Sequence, residues 1–213
     1  MMTLHGTSPM TTYAVIDFET TGLSPAHGAR PTEIAAVLVR DGEIVDHYQS
    51  LMNAGVRVPY DIQQFTGITN EMVRQAPPVA TVMSEVAAFV GPCPIVCHNA
   101  AFDRKFWAHE AELLGRPTQN AFVCSLLLAR RLFPQAPNHK LATLVHALGL
   151  PNSGTFHRAL ADAECTAHLL INLNQAICER FGLTDVAPEL LLALQKASKH
   201  QLDRCVGAYV AGH

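Results

Sequence analysis

The chain has 213 residues, of which 49% are hydrophobic and 15% charged, and its formal net charge is −3. This length fits one domain, or one domain with a short appendage, and it allows a large core. No apolar run approaches the ~20 residues that span a bilayer, and no basic segment followed by an apolar one opens the chain, so we expect no secretory signal and a cytoplasmic location.

Hydrophobic periodicity and turn signals divide the chain into alternating elements. Strands are predicted at 13–19, 33–39, 44–51, 94–97 and 121–124. Helical segments are predicted at 59–65, 77–90, 101–114, 125–132, 140–148, 158–181 and 188–209. Because Asp41-Gly42 favours a hairpin turn, the second and third strands should be antiparallel. The order of elements predicts an α/β fold, with a mixed five-stranded sheet flanked by helices.

The first predicted strand carries two acids within an otherwise apolar run, YAVIDFETTG at 13–22. Side chains alternate along a strand, so Asp17 and Glu19 point to the same face. Two buried carboxylates on one face repel each other, and leaving them uncompensated is costly. A divalent cation between them would remove this cost and supply a function. Such a cation can also hold a phosphate group, so the negative net charge does not exclude nucleic acid as a ligand.

Three further polar residues follow later in the chain. Asp103 lies just beyond the fourth predicted strand, although an acid near a helix start is by itself typical of a favourable helix-dipole interaction. His157 and Asp162 are five residues apart and would not share one helix face, but they can converge if His157 lies in the preceding loop. Taken alone, His157 is typical of a solvent-facing loop histidine. The alanines around Asp162 suit a helix packed close to a sheet.

In their order and spacing, these residues resemble the DEDD superfamily of 3′→5′ exonucleases, in its DEDDh branch with a histidine in the third motif. The three matching motifs are VIDFETTGL at 15–23, CHNAAFD at 97–103 and HRALADA at 157–163. Two connecting segments, FTGIT at 65–69 and NHKLATL at 138–144, are also similar. Within the superfamily the chain looks most like the proofreading (epsilon) subunit of bacterial DNA polymerase III. One departure is Cys124-Ser125, where many relatives carry Asp-Thr.

The resemblance implies a ribonuclease H-like fold, and the pattern of elements predicts a domain division. Residues 1–12 would be a flexible leader, 13–182 the exonuclease domain and 183–213 a C-terminal helical extension. The family hydrolyses phosphodiester bonds with two divalent cations, Mg²⁺ or Mn²⁺. By resemblance, Asp17 bridges both ions, Glu19 and Asp162 complete the site of one, Asp103 acts on the other, and His157 is the general base.

The resemblance also implies which residues hold the 3′ end of a nucleic acid strand. Backbone amides of Thr20, Thr21, Gly22 and Leu23 would reach the terminal nucleotide. Leu23 and Phe102 would stack against the last bases, while Phe65 and Thr66 close over the terminal nucleotide. The alternative for both phenylalanines is an ordinary core position. His98 and Asn99 either bind the phosphate or support the site.

The function implied is removal of 5′-mononucleotides from single-stranded DNA or RNA, with a DNA polymerase subunit as a possible partner and no membrane. Three alternatives remain open at this point. One is an RNA-trimming enzyme of the ribonuclease T or oligoribonuclease type. Another is a module that binds 3′ ends without cutting them. The third is an accessory subunit that binds a polymerase through 183–213, although this segment can equally pack on its own domain.

Overall fold

The computed structural model describes residues 11–117, 119–152 and 157–212. Its strands are β1 (Thr12–Thr20), β2 (Pro31–Arg40), β3 (Glu43–Leu51), β4 (Ile95–Cys97) and β5 (Phe122–Cys124). Its α-helices are α1 (Tyr60–Thr66), α2 (Asn70–Gln75), α3 (Val79–Val90), α4 (Ala100–Leu113), α5 (Ser125–Leu132), α6 (Leu141–Ala147), α7 (Ala159–Phe181), α8 (Pro188–Leu194) and α9 (Leu202–Ala211). None of these helices is long and apolar enough to cross a membrane.

The five strands form one sheet in the order β3-β2-β1-β4-β5. The pairs β1–β2 and β2–β3 are antiparallel, whereas β1–β4 and β4–β5 are parallel. The sheet is therefore mixed and flanked by helices, as the sequence predicts. Central strand β1 is buried on both faces, which accounts for its continuous apolar run.

Alternation along the central strands separates two hydrophobic cores. On β1, Tyr13 and Val15 face the core that includes α7, whereas Ala14, Ile16 and Phe18 face the core that includes α3 and α4. Because Asp17 and Glu19 continue the odd-numbered series, they emerge on the α7 side of the sheet.

Helix α7 approaches the sheet closely because small residues line its inner face. Ala159, Ala163 and Ala167 are four residues apart, so they share one face of the helix, and all three have no exposed surface. Alanine lets a helix backbone lie near the sheet, whereas larger residues would hold it away. This packing brings the first turn of α7, with Asp162, to the end of β1.

Two details differ from the predicted elements. Helix α2 was not predicted, and Thr69 caps its start by accepting a hydrogen bond from the Met72 amide at 3.2 Å. The predicted segment 188–209 is two helices, with a break at 195–201. The break coincides with Gln195, whose side chain bonds the backbone of β5.

The domain division stays a prediction. Residues 1–10 of the predicted leader lie outside the described residues, while Thr12 already belongs to β1. In the predicted extension, the apolar side chains of α8 and α9 belong to the same core as those of α7.

Candidate active site

Three carboxylates from two elements meet at the end of the central strand. Asp17 and Glu19 come from β1, and Asp162 comes from the first turn of α7. Each offers one oxygen such that these ligand atoms all lie within 4.8 Å of one another. This spacing suits shared coordination of a cation.

Asp103 reaches the same strand from the opposite side of the sheet. It lies in the first turn of α4, is 3% exposed, and its Oδ1 accepts a hydrogen bond from the Phe18 amide at 3.2 Å. Strand β4 pairs with β1 only at Ala14 and Val15, so the ladder does not extend to Phe18 on that edge. The Asp103 side chain takes the place of a strand partner, which fixes the carboxylate beside Asp17.

His157 precedes α7 in a left-handed backbone conformation, with φ of 70°. Its amide donates to Asp162 Oδ2 at 3.1 Å, and its exposed imidazole contacts the Phe65 ring with centroids 3.9 Å apart. The turn therefore overcomes the unfavourable spacing of five residues by keeping His157 outside the helix. The other oxygen of Asp162, Oδ1, is buried and has no hydrogen-bond partner among the described residues.

Burial raises the pKa of every carboxyl in the cluster, and repulsion by neighbouring acids adds to the shift for Asp17 and Glu19. Burial is the largest cause for Asp17, whose pKa lies well above its usual range, followed by the charges of Asp103, Asp162 and Glu19. Burial, the charge of Asp162 and that of Glu33 raise the pKa of Glu19 to about 8. This is the pattern of like charges held together in a poorly solvated place.

For Asp103 and Asp162, burial raises the pKa and hydrogen bonds from backbone amides partly oppose it. Burial raises the pKa of Asp103 to about 7, although the bond from the Phe18 amide opposes the shift. Burial also raises the pKa of Asp162, opposed by its bond from the His157 amide. Four crowded carboxyls and one unpartnered buried oxygen fit a hard divalent cation, which takes oxygen ligands.

A cleft of about 410 Å³ opens over these acids. All the residues predicted to bind metal or substrate line it: Asp17, Glu19, Thr20, Thr21, Gly22, Leu23, Phe65, Thr66, His98, Asn99, Phe102, Asp103 and Asp162. His157, the predicted base, is not among the lining residues. His157 joins the group through its contact with Phe65.

The apolar residues of the cleft differ in exposure. Leu23 is 81% and Phe65 59% exposed, so neither is an ordinary core residue. Phe102 is half-buried and packs on Phe106 with ring centroids 5.1 Å apart, while remaining on the cleft wall. Exposed apolar side chains beside a cleft can stack on bases.

The polar groups of the predicted substrate loop are partly engaged within the protein. Thr20 Oγ1 donates to the Gly22 carbonyl at 2.7 Å, and the Thr21 amide donates to the Arg30 carbonyl at 2.9 Å. Thr66 Oγ1 donates to Ile62 O at 2.9 Å and accepts from the Ile68 amide at 3.1 Å. The Thr21 amide is therefore not free for a ligand, and these bonds shape the loops.

His98 is held on both ring nitrogens. Its Nδ1 lies 2.9 Å from Ser125 Oγ, and its Nε2 lies 2.9 Å from the His139 carbonyl. Since a carbonyl only accepts, Nε2 carries the proton and Nδ1 accepts from the Ser125 hydroxyl. Burial lowers the pKa of His98, which favours this neutral form. Of the two predicted roles, these contacts favour the supporting one over phosphate binding.

Sequence reasoning missed two acids near the site. Asp61 on α1 lines the cleft, and Glu33 on β2 lies directly opposite Glu19 in the strand register. Glu33 has no exposed surface and is paired with Arg158. The signal in the sequence was a lone acid inside the apolar run of the second strand, but its partner 125 residues away could not be seen.

Comparison with known proteins places this geometry in a family. The profile of the family described as Exonuclease matches residues 14–170. DNA polymerase III PolC-type from Bacillus cereus is 37% identical over 170 residues, which are 79% of this chain but 12% of that protein. The Bacillus subtilis protein of the same name is 36% identical over 171 residues, with the same coverage.

Solved structures of exonucleases share the fold of this chain. Exonuclease X in complex with 5′ overhanging duplex DNA superimposes with a TM-score of 0.65 and 29% identity, over 81% of this chain and 94% of that one. The nuclease domain of 3′hExo, a DEDDh family member bound to rAMP, has a TM-score of 0.68 at 22% identity, over 84% and 98% of the two chains. The predicted resemblance and the ribonuclease H-like fold class are confirmed.

Proposed function

Because the chain belongs to the exonuclease family, we propose that it is a metal-dependent 3′→5′ exonuclease acting on single-stranded DNA. The observation that carries the proposal is the meeting of Asp17, Glu19 and Asp162 within 4.8 Å, with Asp103 beside them. A cluster of carboxyls with raised pKa values at the mouth of a cleft is typical of a functional site.

We assign the metal ligands to the four acids, Asp17, Glu19, Asp103 and Asp162. Their all-oxygen donor set suits Mg²⁺ or Mn²⁺ better than a soft metal. When bound, a pair of such ions makes water nucleophilic at neutral pH and neutralises charge on the phosphate. Asp162 Oδ1, which has no partner in the part of the chain that the structure describes, supports this assignment, because a buried carboxylate oxygen without a partner is otherwise costly.

The remaining steps belong to the chain's own residues. His157 would accept a proton from the attacking water. The hydrogen bond from its backbone amide to the Asp162 carboxylate links this base to the carboxylate cluster. The exposed side chains of Leu23 and Phe65, together with Phe102, would stack on the terminal bases without selecting among them. Cleavage at the last phosphodiester releases a 5′-mononucleotide.

The relatives favour DNA, and a proofreading role, over RNA trimming. The PolC-type proteins are named as DNA polymerases, and exonuclease X was solved with DNA. Association with a DNA polymerase and a cytoplasmic location are part of this proposal. A proofreading enzyme should remove a mismatched 3′ nucleotide faster than a paired one, since the mismatched end frays into a single strand.

A digestion panel tests the proposal. Single-stranded DNA, duplex DNA with a paired or mismatched 3′ end, and short RNA, each labelled at the 5′ end, are incubated with Mg²⁺, Mn²⁺ or EDTA. We expect stepwise shortening of single-stranded DNA with either metal and none in EDTA. Asp17→Asn should lower the rate on the order of 10³-fold, because loss of a metal ligand removes several kcal/mol of transition-state stabilisation. Internal cuts, metal-independent cleavage or faster digestion of RNA than of DNA would contradict the proposal.

A further inference from the structure

Glu33 is a buried acid beside the carboxylate cluster that the four-ligand assignment does not use. It lies opposite Glu19 in the β1–β2 register and has no exposed surface. An isolated charge at such a position would be strongly unfavourable. Its surroundings therefore decide whether it joins the cluster or serves another purpose.

Both oxygens of Glu33 are occupied by donors from the protein. Oε1 accepts from Arg158 Nη2 at 2.7 Å and from Gln49 Nε2 at 2.8 Å. Oε2 accepts from Arg158 Nε and from the Ala159 amide, each at 3.1 Å. The bidentate guanidinium pair fixes the carboxylate in direction as well as in charge. These contacts occupy both oxygens of Glu33, while its charge still contributes to the raised pKa of the neighbouring Glu19.

Arg158 and Ala159, two of the residues that donate hydrogen bonds to Glu33, come directly after His157 in the chain. Arg158 is the residue before α7, and the Ala159 amide is the first of the helix, which has no partner within the helix. Glu33 therefore acts as the cap of α7 from a different element, the second strand of the sheet. Arg158 and Ala159 tie the start of the helix to the strand beside the one that carries Asp17 and Glu19.

His157 needs such an anchor because its own conformation is unfavourable. A left-handed backbone costs a residue other than glycine about 1–2 kcal/mol, so neighbouring contacts must over-determine it. Two contacts do this: the ion pair of Arg158 with Glu33 on one side, and the hydrogen bond from the His157 backbone amide to Asp162 on the other. Together they direct the imidazole onto Phe65.

We propose that Glu33 is a positioning residue, which sets the place of His157 relative to the carboxylate cluster by fixing the start of α7. It acts through Arg158 and the Ala159 amide and does not ligate metal. The catalytic consequence rests on the proposed role of His157 as base, whereas the anchoring itself does not.

The test compares Glu33→Gln with a matched control elsewhere in the molecule. Glu110 is also buried, and its carboxylate receives two bonds of 2.8 Å from one guanidinium, that of Arg30. Glu110→Gln therefore removes an equivalent ion pair without touching α7. Both variants are assayed well below their melting temperatures, so that a general loss of stability affects them alike.

The first readout is the imidazole signal of His157 in NMR spectra, assigned by its absence in His157→Ala. The Phe65 ring, 3.9 Å away, should displace this signal by its ring current. We expect Glu33→Gln to move the signal toward that of a free histidine and Glu110→Gln to leave it unchanged. An unmoved signal in Glu33→Gln, or equal movement in both variants, would overturn the proposal. If Glu33→Gln does not fold, Arg158→Lys gives the same test, because it loses the bidentate geometry from the partly exposed partner.

The second readout is turnover with Mg²⁺ on single-stranded DNA. Glu33→Gln should lower kcat about 10-fold to 100-fold, the usual effect of misplacing a catalytic group, with the Mg²⁺ concentration for half activity changed much less. In the His157→Ala background the same substitution should cause no further loss of kcat, whereas independent, multiplying losses would overturn the proposal. A wild-type protein that digests nothing would refute the proposed function, while the NMR readout would still decide the anchoring.

Discussion

The four clustered carboxyls bind protons more tightly than ordinary acids do, and this has a measurable consequence for stability. The pKa of Glu19 is about 8 and that of Asp103 about 7, against ordinary values of ~4 for such carboxyls. Between these limits the folded chain binds more protons than the unfolded chain. The free energy of unfolding therefore falls as the pH rises through this range, and the contributions of Asp103 and Glu19 are lost as the pH passes about 7 and about 8.

We accordingly expect the melting temperature in EDTA to fall between about pH 6 and pH 8.5. Mg²⁺ should raise the melting temperature more at the higher pH, because there the acids have lost the protons that compete with the cation for the carboxylates. Glu19→Gln serves as the control, because removing one titrating group should flatten the pH dependence. Wild type and Glu19→Gln curves with the same slope would contradict the raised pKa of Glu19.

Single residues also show where sequence reasoning reaches its limit. The acids of the three motifs were predictable because each motif carries its own short signature. The hydrogen-bond partner of His98 was less predictable. Ser125 stood out only as a departure from relatives, and the contact of its hydroxyl with His98 depends on how two strand ends meet. Glu33 was missed because its meaning depends on Arg158, which only the fold brings near.

At the scale of elements, the position of α7 relative to the sheet determines whether Asp162 can reach Asp17. Three alanines at spacings of four residues form the contact face. The sequence indicated this packing through its small residues, and the predicted helix 158–181 agrees closely with the observed Ala159–Phe181. Strand β1 and the hairpin of β2 and β3 were equally predictable from the sequence, because clear turn signals bound these strands.

Ala163→Leu should separate α7 from the sheet. A larger side chain at a position with no exposed surface forces strain that typically costs about 1–3 kcal/mol. Because Asp162 is the adjacent residue, we expect nuclease activity to fall even at temperatures where the variant stays folded. The measurements are urea unfolding and the single-stranded DNA assay.

Gln175→Leu, an exposed position on the same helix, is the matched control and should keep both stability and activity. Full activity in Ala163→Leu, together with its expected loss of stability, would show that the close approach of α7 is not required for the site.

At the scale of the whole molecule, the C-terminal helices complete the main core. Leu190, Leu191, Leu194 and Leu202 are almost fully buried in the cluster that α7 shares. Gln195 bonds both the Cys124 amide, at 2.7 Å, and the Phe122 carbonyl, at 3.1 Å. The glutamine thus replaces a strand partner along the outer edge of β5. The long-range pairing that produces this edge contact leaves no local sign, so a single helix at 188–209 was the natural prediction from periodicity.

Gln195→Ala should reduce the free energy of unfolding by about 1–3 kcal/mol, because two strand-edge groups lose their partner. Gln175→Ala, at an exposed position, is the control and should have little effect. Truncation before residue 183 should unfold the chain, since it exposes the apolar residues of the core that α8 and α9 share with α7. Circular dichroism and urea unfolding measure both effects, and a truncated chain of unchanged stability would contradict the structural role of these helices.

The proposed activity requires the four acids to hold hard cations together, and counting bound Mn²⁺ tests this most directly. Electron paramagnetic resonance of free Mn²⁺, measured with a 5′-mononucleotide present, gives the number of ions bound per chain. We predict two ions for the wild type and a loss of binding in Asp17→Asn, the residue assigned to both ions. Equal binding by the two proteins, or no binding by the wild type, would contradict the metal site.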